Sequence, residues 1–283
     1  MNLKHYTIPF EVNGTKLDFQ HETIVMGILN VTPDSFSDGG RYDAIDKAIM
    51  HAKQMVADGA KIIDVGGEST RPGHAPVSVE EEIARVVPVI EALSRELDVA
   101  ISIDTYKARV AEAAVIAGAH IINDIWGAKR EPAIAEVAAR LNVPIILMHN
   151  REVAEYIDFW QEVRADLEDS VQIAMTAGVP EHHIWLDPGI GFGKTTEHNI
   201  WMMQHLASLV EMGYPVLLAT SKKTMIGNIL RLPVDERLEG TAATVSFGAM
   251  HGCHMMRVHD VKGTMRTVRM MDVLTGKQPY LEQ

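Results

Sequence analysis

The sequence predicts an α/β protein, a (β/α)8 TIM barrel with a β-hairpin at its N-terminus. Two observations carry this prediction. From residue 24 onward, short apolar runs alternate with stretches of helical spacing. The apolar runs also lack regular polar alternation, as expected for parallel strands buried on both faces. Eight such units within about 250 residues favour a closed barrel. An open doubly wound sheet is the alternative that the same periodicity allows.

The first element precedes this alternation. "FEVNGTKLDF" places alternating apolar residues on both sides of Asn13-Gly14, a pair typical of a two-residue hairpin turn. Residues 1–20 are therefore expected to form a hairpin extension that acts as a lid or clasp. No Pro-rich or Ser-rich linker follows, so residues 1–283 are expected to form a single domain.

Strands and helices then follow in turn. The first helix lies in "AIDKAIMHAKQMVADG" and ends at Gly59, and the second begins after Ser78, with Glu81 in capping-box spacing. The other helices are expected at 107–117, 131–140, 160–177, 196–210, 236–250 and 261–275. The eight strands are expected at 24–30, 61–66, 99–104, 120–124, 143–148, 183–187, 215–220 and 254–258.

Composition narrows the class of partner. A net charge of −12 argues against a nucleic-acid surface, which needs clustered Lys and Arg. Charged residues interrupt every apolar stretch, so no membrane span is expected. The one cysteine, Cys253, rules out an internal disulfide, and the first residues lack a signal-peptide pattern, so a cytoplasmic location is expected. Small molecules are the expected partners.

Nearly every predicted strand ends in a polar group that a hydrophobic core would reject. In a barrel these C-terminal ends converge on one face, so the groups are expected to surround one pocket, covered by the loop after the first barrel strand. The groups are Asn30, Asp64, Asp104, Asn123 with Asp124, His149, Asp187, Ser221 with Lys222 and Lys223, and Arg257 with His259 and Asp260.

Several of these groups also have a local interpretation. Asn30 can satisfy backbone groups at a turn, and Asp104 can cap the next helix, as can Asn123 or Asp124. Asp64 precedes two glycines and is assigned to bonds with neighbouring backbone.

The segment "LDPGIGFGKTT" contains Gly193-Lys194-Thr195, which raises the question of a phosphate-binding loop. That motif needs a glycine five residues before Gly193, where this chain has Pro188. The match fails. The glycines are instead interpreted as a loop that makes room for a flat ligand, with Asp187 as a hydrogen-bond acceptor. A glycine-rich turn without a ligand is the alternative.

The other polar residues at the strand ends are chemically suited to bind a flat heterocycle and an anion. Two carboxylates, an amide and an amine can recognise a planar heterocycle with donors on one edge and acceptors on another; these are Asp104, Asp187, Asn123 and Lys223. Arg257 and His259, with the start of the last helix, form a candidate anion site. A bipartite pocket is predicted, with an aminopyrimidine-like ring inside and a phosphate at the rim.

Seven motifs in order resemble the dihydropteroate synthase family, whose members sulfonamides inhibit. They are "MGILNVTPDSFSDGG", "GGESTRPG", "SIDT", "IND", "DPGIGFGKT", "SKKT" and "RVHD", and the resemblance spans residues 24 to 275. It implies a transferase barrel of folate biosynthesis that joins 6-hydroxymethyl-7,8-dihydropterin pyrophosphate to p-aminobenzoate, releasing pyrophosphate in an SN1-like step. It also implies a homodimer, which the apolar last helices could support.

The resemblance also implies roles for individual residues. Asp104, Asn123, Asp187 and Lys223 would hold the pterin, with Met148 packed on its face. Asn30 would help to bind Mg²⁺, and Arg257 and His259 would bind the pyrophosphate. Phe36, Thr70, Arg71 and Pro72 would close over the site and, with Thr224, shape the p-aminobenzoate pocket.

This chain departs from the family pattern at three places. Lys222 replaces a common Arg, Thr224 replaces a frequent Ser, and "LMHNREV" differs from the longer form after the fifth strand of many members. A pterin-binding methyltransferase and an inactive barrel kept as a binding module are the alternatives. The first would not need the pyrophosphate contacts of Arg257 and His259. Loss of Asp104, Lys223 or Arg257 would have favoured the second, and all three are present.

Overall fold

The structure, a computed structural model, describes residues 9–31, 41–68 and 77–280. Eight parallel strands form its central sheet, which confirms the barrel. After the hairpin strands β1 (Phe10–Val12) and β2 (Thr15–Leu17), they are β3 (Ile24–Asn30), β4 (Ile62–Gly66), β5 (Ala100–Asp104), β6 (Ile121–Asp124), β7 (Ile145–Met148), β8 (Ile184–Asp187), β9 (Leu217–Leu218) and β10 (Met255–Val258).

The strand order shows how the sheet closes. Strands β3 to β8 pair with their neighbours in chain order, and β10 pairs with both β3 and β9. Between β8 and β9 the contact is a single parallel bridge, Leu186 to Val216, supported by a 2.8 Å hydrogen bond from the Leu186 amide to the Pro215 carbonyl. The barrel is therefore nearly closed, and β9 is shorter than the expected 215–220.

Ten α-helices occur in the described residues instead of the expected eight. They are α1 (Arg41–Ala57), α2 (Val79–Glu96), α3 (Ala108–Ile116), α4 (Ala133–Leu141), α5 (Phe159–Thr176), α6 (Thr196–Gln204), α7 (Leu206–Val210), α8 (Thr224–Leu230), α9 (Leu238–Met250) and α10 (Val261–Leu274). The predicted helix 196–210 divides at His205, which leaves the helical conformation with ψ near 8°. Helix α8 was missed because seven residues are too few for a clear periodic pattern.

The ends of the helices follow local chemistry. The Ser78 hydroxyl accepts a hydrogen bond from the Glu81 amide at 3.2 Å, which confirms the predicted start of α2. Thr195 and His198 form a reciprocal capping box at the start of α6. Within the described residues, no helix combines the length and the apolar character needed to cross a bilayer.

An apolar layer fills the N-terminal end of the barrel. Alternate residues of a strand point to opposite faces, so one set from each barrel strand points inward. This set forms a cluster separate from the one between strands and helices, and we call it the barrel floor. Its members are Ile24, Met26, Ile62, Ala100, Ile121, Ile146, Trp185, Leu217 and Met255.

The N-terminal hairpin packs against the barrel floor. Asn13 and Gly14 both have positive φ, 46° and 70°, as a tight two-residue turn requires. Leu17 and Phe19 join the floor cluster, and the Phe19 ring meets Trp185 edge-on with centroids 5.3 Å apart. The hairpin is therefore a clasp that closes the end of the barrel opposite the strands' C-terminal ends, and the lid interpretation is wrong.

We expect Leu17→Ala to lower the free energy of unfolding by about 2–5 kcal/mol, because truncation of a buried leucine leaves a cavity beneath the floor. Leu17 is fully buried, whereas the neighbouring Lys16 side chain is 54% exposed. Urea unfolding of Leu17→Ala and the control Lys16→Ala checks this. Equal unfolding free energies for the two variants would show that the clasp does not support the barrel.

Candidate active site

The same alternation that builds the floor places polar groups above it. Two residues beyond a floor position, the inward-facing side chain lies nearer the C-terminal ends of the strands, which we call the mouth. At five strands this step leads from Ile62, Ile121, Ile146, Trp185 and Met255 to Asp64, Asn123, Met148, Asp187 and Arg257. The mouth therefore brings together side chains that are as many as 193 positions apart in the chain.

Arg257 joins three strands at the mouth. Its Nε donates to Asp64 Oδ2 and its Nη2 to Asp104 Oδ2, each at 2.6 Å. The Asn123 amide donates to the same Asp64 oxygen at 3.2 Å. Asp64 is fully buried and Asp104 nearly so. These side-chain bonds therefore connect β4, β5 and β10 in addition to the backbone pairing of the sheet, and each buried carboxylate has the guanidinium as its ion-pair partner.

Burial controls the charge of this group. Burial raises the pKa of Asp104 to about 7, and the Asp64 carboxylate acts in the same direction while Arg257 opposes it. Burial also works against the charge of Arg257, but Asp64 and Asp104 outweigh it and raise the guanidinium pKa above its ordinary value. Asp104 therefore titrates in the neutral range while Arg257 stays charged.

Asp187 and Lys223 complete the charged groups of the mouth. Asp187 Oδ1 accepts a 2.6 Å hydrogen bond from the Gly189 amide, and burial raises the pKa of this carboxyl to about 6. Burial and the nearby Arg257 lower the pKa of Lys223 to about 8, against the opposing attraction of Asp187 and Asp104. The Lys223 ammonium lies 4.3 Å from the centre of the Phe192 ring. Three carboxylates thus share the mouth with two cations.

The turn after β9 fixes the backbone of Lys223. Lys222 adopts a left-handed conformation with φ of 56°, which turns the chain into α8. Arg237 donates to the Lys222 carbonyl at 3.0 Å, and Thr241 accepts from the Lys222 amide at 3.1 Å. Lys222 therefore shapes the site through its backbone.

His259 and Asp260 begin the segment after β10. The His259 ring nitrogen Nδ1 lies 2.9 Å from Ser221 Oγ, and the same hydroxyl accepts from the His259 amide at 3.2 Å. Asp260 caps α10 by accepting from the Gly263 amide at 3.1 Å. The expected anion site at this helix start therefore has a carboxylate already bonded to one of its amides, so Arg257 is its cation and His259 is a candidate hydrogen-bonding group.

The structure decides between several local interpretations. Asp104 is not a helix cap, because its carboxylate bonds to Arg257. Asp124 does serve its own turn, accepting from the amides of Trp126 and Ala128 at 2.8 and 2.6 Å. The assignment of Asp64 to neighbouring backbone is wrong, since its bonded partners are Arg257 and Asn123.

Other predicted residues take different positions. Asn30 is exposed at the end of β3, and Met148 is buried at the end of β7. Thr224 is exposed at the first position of α8. Phe36, Thr70, Arg71 and Pro72 lie outside the described residues.

The expectation that His149 lines the mouth is wrong. Its side chain is fully buried, and its ring nitrogens bond to Asp166 at 3.1 Å and to Lys194 at 2.6 Å. Phe192 and Arg237 are residues of the candidate site that the sequence did not single out, and Asp64 was among the polar strand ends but was assigned to backbone bonds. For Asp64 the sequence did contain a signal, because it lies two positions after Ile62 on the same strand and therefore faces the inside of the barrel.

The described residues of the mouth offer a divalent cation few protein ligands, so substrate oxygens would have to complete its coordination. Among residues 9–31, 41–68 and 77–280, no three His, Cys, Asp or Glu side chains form a metal-binding group. The Asn30 amide oxygen is a hard donor, and Gly66 leaves open the space between it and Asp104, since a Cβ there would lie 3.6 Å from Asn30 Oδ1. Mg²⁺ commonly uses one or two protein oxygens together with substrate phosphates, and Asn30 suits that mode.

The barrel and its mouth define a class of protein. Residues 26–259 match the family model described as pterin binding enzyme. The dihydropteroate synthase of Bacillus subtilis is 59% identical over 261 residues, covering 92% of each chain. Among solved structures, dihydropteroate synthase from Clostridium difficile, in the presence of pteroic acid, has a TM-score of 0.89 at 47% identity and covers 91% of this chain and 98% of its own. The Yersinia pestis enzyme in a sulfonamide complex has a TM-score of 0.88 at 40% identity, covering 96% and 100%.

These findings assign the chain in two steps. It is a pterin-binding barrel by fold and by the matched family model. Within that class it belongs to the dihydropteroate synthases, which are transferases.

We expect Asp64→Ala to lower the free energy of unfolding by about 3–5 kcal/mol, because it removes one partner of a buried ion pair. Asp64→Asn keeps an acceptor for the Arg257 Nε–H and should cost less. Ser102→Ala is the control, since Ser102 is the register partner of Asp64, is fully buried and has no hydrogen-bond partner for its hydroxyl. Urea unfolding of the three variants checks this, and a cost for Asp64→Ala no larger than that for Ser102→Ala would contradict it.

Proposed function

We propose that this chain condenses 6-hydroxymethyl-7,8-dihydropterin pyrophosphate with p-aminobenzoate, forming 7,8-dihydropteroate and pyrophosphate. The observation that carries the proposal is the polar mouth, where carboxylates, an amide and an amine meet beside Met148 and above an apolar floor. One oxygen of Asp104, Oδ1, is buried and has no hydrogen-bond partner. A buried acceptor of this kind is stabilised when a ligand N–H bonds to it.

Each described group has a role that its chemistry allows. Asp187 and Asp104 accept from donors of the pterin ring, and Asn123 can both donate and accept. Lys223 donates to ring acceptors, and Met148 packs on the ring face as a polarisable apolar group. Asp64, buried beneath, keeps Arg257 and Asn123 in place.

The chemical step breaks the bond between the substrate methylene carbon and the diphosphate oxygen, and the electron pair leaves with the diphosphate. The electron-rich dihydropterin stabilises the resulting cation, and the nitrogen of p-aminobenzoate then forms the new C–N bond and releases a proton. Arg257 offers positive charge to the departing diphosphate, and both Arg257 and His259 offer hydrogen bonds to it. The side chains therefore need only stabilise charge, and none has to act as a nucleophile.

We propose Mg²⁺ as the cofactor, held by Asn30 and by the substrate diphosphate. When bound, a divalent cation neutralises charge on the leaving group. By resemblance, Phe36, Thr70, Arg71 and Pro72 would exclude water from the cation and, together with Thr224, bind p-aminobenzoate.

We also propose a homodimer formed through the last helices. Large apolar side chains are exposed from α8 to the start of α9, namely Ile229, Leu230, Val234 and Leu238, and others lie on α10, namely Met270, Val273 and Leu274. Exposed apolar groups in such number favour association. We also propose a cytoplasmic location, because the single cysteine, Cys253, leaves the chain without an internal disulfide.

Purified protein given both substrates and Mg²⁺ should form dihydropteroate, measured by liquid chromatography. Arg257→Ala should lower kcat/KM by about 100-fold or more, because the negative charge that develops on the leaving diphosphate loses the guanidinium that stabilises it. The control Arg140→Ala changes an exposed arginine paired with Glu112 on α3 and should keep wild-type turnover. Absence of product from the wild-type protein would overturn the proposed function, and turnover unchanged by EDTA would overturn the role of Mg²⁺.

The affinity for 6-hydroxymethylpterin should rise by about tenfold or more between pH 5 and pH 7.5. In the free protein Asp187 and Asp104 have pKa values raised to about 6 and about 7, so both are largely protonated at pH 5. An ionised carboxylate accepts from ring N–H groups at both oxygens and with its charge, whereas a protonated carboxyl accepts more weakly and presents an O–H donor to the ring. Calorimetric titrations with 6-hydroxymethylpterin between pH 5 and pH 7.5 check whether the affinity rises with pH. Asp187→Asn should flatten the lower part of the rise, and an affinity that falls with pH would contradict these roles.

A further inference from the structure

Lys194 belongs to a Gly-Lys-Thr sequence that is not a phosphate-binding loop, and its ammonium has a different environment. Nζ lies 3.1 Å from the carbonyl oxygens of both Gly189 and Phe192 and 3.4 Å from that of His149. It also lies 2.6 Å from His149 Nδ1. Three of these four partners are carbonyl oxygens, which can only accept, and two of them belong to the loop that contains Lys194.

The chemistry of the partners determines the protonation of His149. Burial lowers the pKa of Lys194 to about 7, against the attraction of Asp187 and Asp166. The three carbonyl oxygens around Nζ can only accept, and in its ammonium form Nζ can only donate, so Nδ1 of the imidazole accepts. On the other side of the ring, Nε2 lies 3.1 Å from Asp166 Oδ2 and carries the hydrogen, because a carboxylate only accepts. Burial and the neighbouring Lys194 lower the pKa of His149 to about 4, which agrees with a neutral ring. Lys194, His149 and Asp166 thus form a chain of hydrogen bonds in which Lys194 donates to His149 and His149 donates to Asp166.

Three glycines allow this loop to approach the segment after β7. Gly189, Gly191 and Gly193 all have positive φ, at 67°, 87° and 53°. A Cβ on Gly189 would lie 1.9 Å from the His149 carbonyl oxygen, and one on Gly193 would lie 2.5 Å from the Arg151 carbonyl oxygen. Glycine is therefore required where the loop contacts residues 149–151. The Lys194 ammonium contacts both segments, since it bonds to carbonyls of the loop and to His149.

The loop presents two groups to the mouth. Asp187 stands at its start, with its carboxylate turned back onto the Gly189 amide. Phe192 stands near its end, with its ring 4.3 Å from the Lys223 ammonium. The Lys194 ammonium bonds to the carbonyls of Gly189 and Phe192, so it acts on the parts of the loop that hold both groups.

We propose that Lys194 is a positioning residue for the reaction: its ammonium, aligned by neutral His149 and by Asp166, holds the loop 187–194 so that Asp187 and Phe192 face the pterin. The inference rests on the proposed function and deepens it. Lys194 acts through the loop because its bonded partners are protein carbonyls and an imidazole. Without the ammonium, the half-buried carbonyls of Gly189 and Phe192 each lose a donor, and the loop relaxes away from the geometry that binds the ring.

Lys129 provides a matched control. Its ammonium lies 3.0 Å from Asp166 Oδ1, so it belongs to the same charged cluster. Its bonded partner is a helix residue of α5 and not the loop. Lys129→Met therefore removes a similar charge from the cluster while it leaves the loop's own bonds intact.

The experiment compares Lys194→Met, Lys194→Arg and Lys129→Met with the wild-type enzyme. We expect Lys194→Met to weaken binding of the dihydropterin pyrophosphate about tenfold or more, equivalent to about 1.4 kcal/mol, with a smaller change in kcat at saturation. Lys194→Arg keeps donors and charge and should restore part of the affinity, whereas Lys129→Met should bind normally. Calorimetry with the pterin substrate and steady-state kinetics give these values.

The outcomes separate the two proposals. A wild-type enzyme without turnover would overturn the proposed function. An active wild-type enzyme in which Lys194→Met and Lys129→Met bind the pterin equally well would overturn the role of Lys194 alone. Should Lys194→Met fail to fold, ¹⁵N NMR of the wild-type protein decides: we expect His149 to be protonated at Nε2 and bare at Nδ1 near pH 7. A proton on Nδ1 would contradict the chain from Asp166 to Lys194.

Discussion

The inward alternation of side chains in a nearly closed parallel barrel is the constraint on which the structure depends. It gives each barrel strand at least one contribution to an apolar floor and, at five strands, a side chain at the mouth two residues later. Because the floor is filled by Trp185, Met255 and their neighbours, and sealed by the hairpin, the polar groups have only one open end to face. The location of the active site therefore follows from packing.

The charges at the mouth follow from this enclosure. Asp64, Asp104 and Asp187 share the space with Arg257 and Lys223, and burial makes each charge dependent on its neighbours. Arg257 keeps its charge because two carboxylates bond to it, whereas Asp104 titrates near neutrality. A ring with several donors and an anionic tail is the kind of ligand that such a mixture of acceptors and cations fits.

Around the mouth, a second set of contacts holds the loops that follow the strands. Arg237 and Thr241 fix the turn at Lys222, and Lys194 fixes the glycine loop from within. These residues lie on helices or loop ends and bond mainly to backbone groups. A loop whose carbonyls are bonded in this way keeps Asp187 and Phe192 in place without regular secondary structure.

The sequence by itself determined the barrel, the hairpin, most element positions and the polar strand ends, because these depend on apolar periodicity, turn residues and caps within a few positions. It also carried the motifs that resemble the family, from which the pterin groups were assigned. The tertiary structure alone decided that Asp64 pairs with Arg257 across 193 positions and that His149 turns away to Asp166 and Lys194. It also decided that α8 interrupts the helix pattern and that the hairpin closes the floor. Such partners are set by strand register and closure, which bring distant residues together and leave no trace in local spacing.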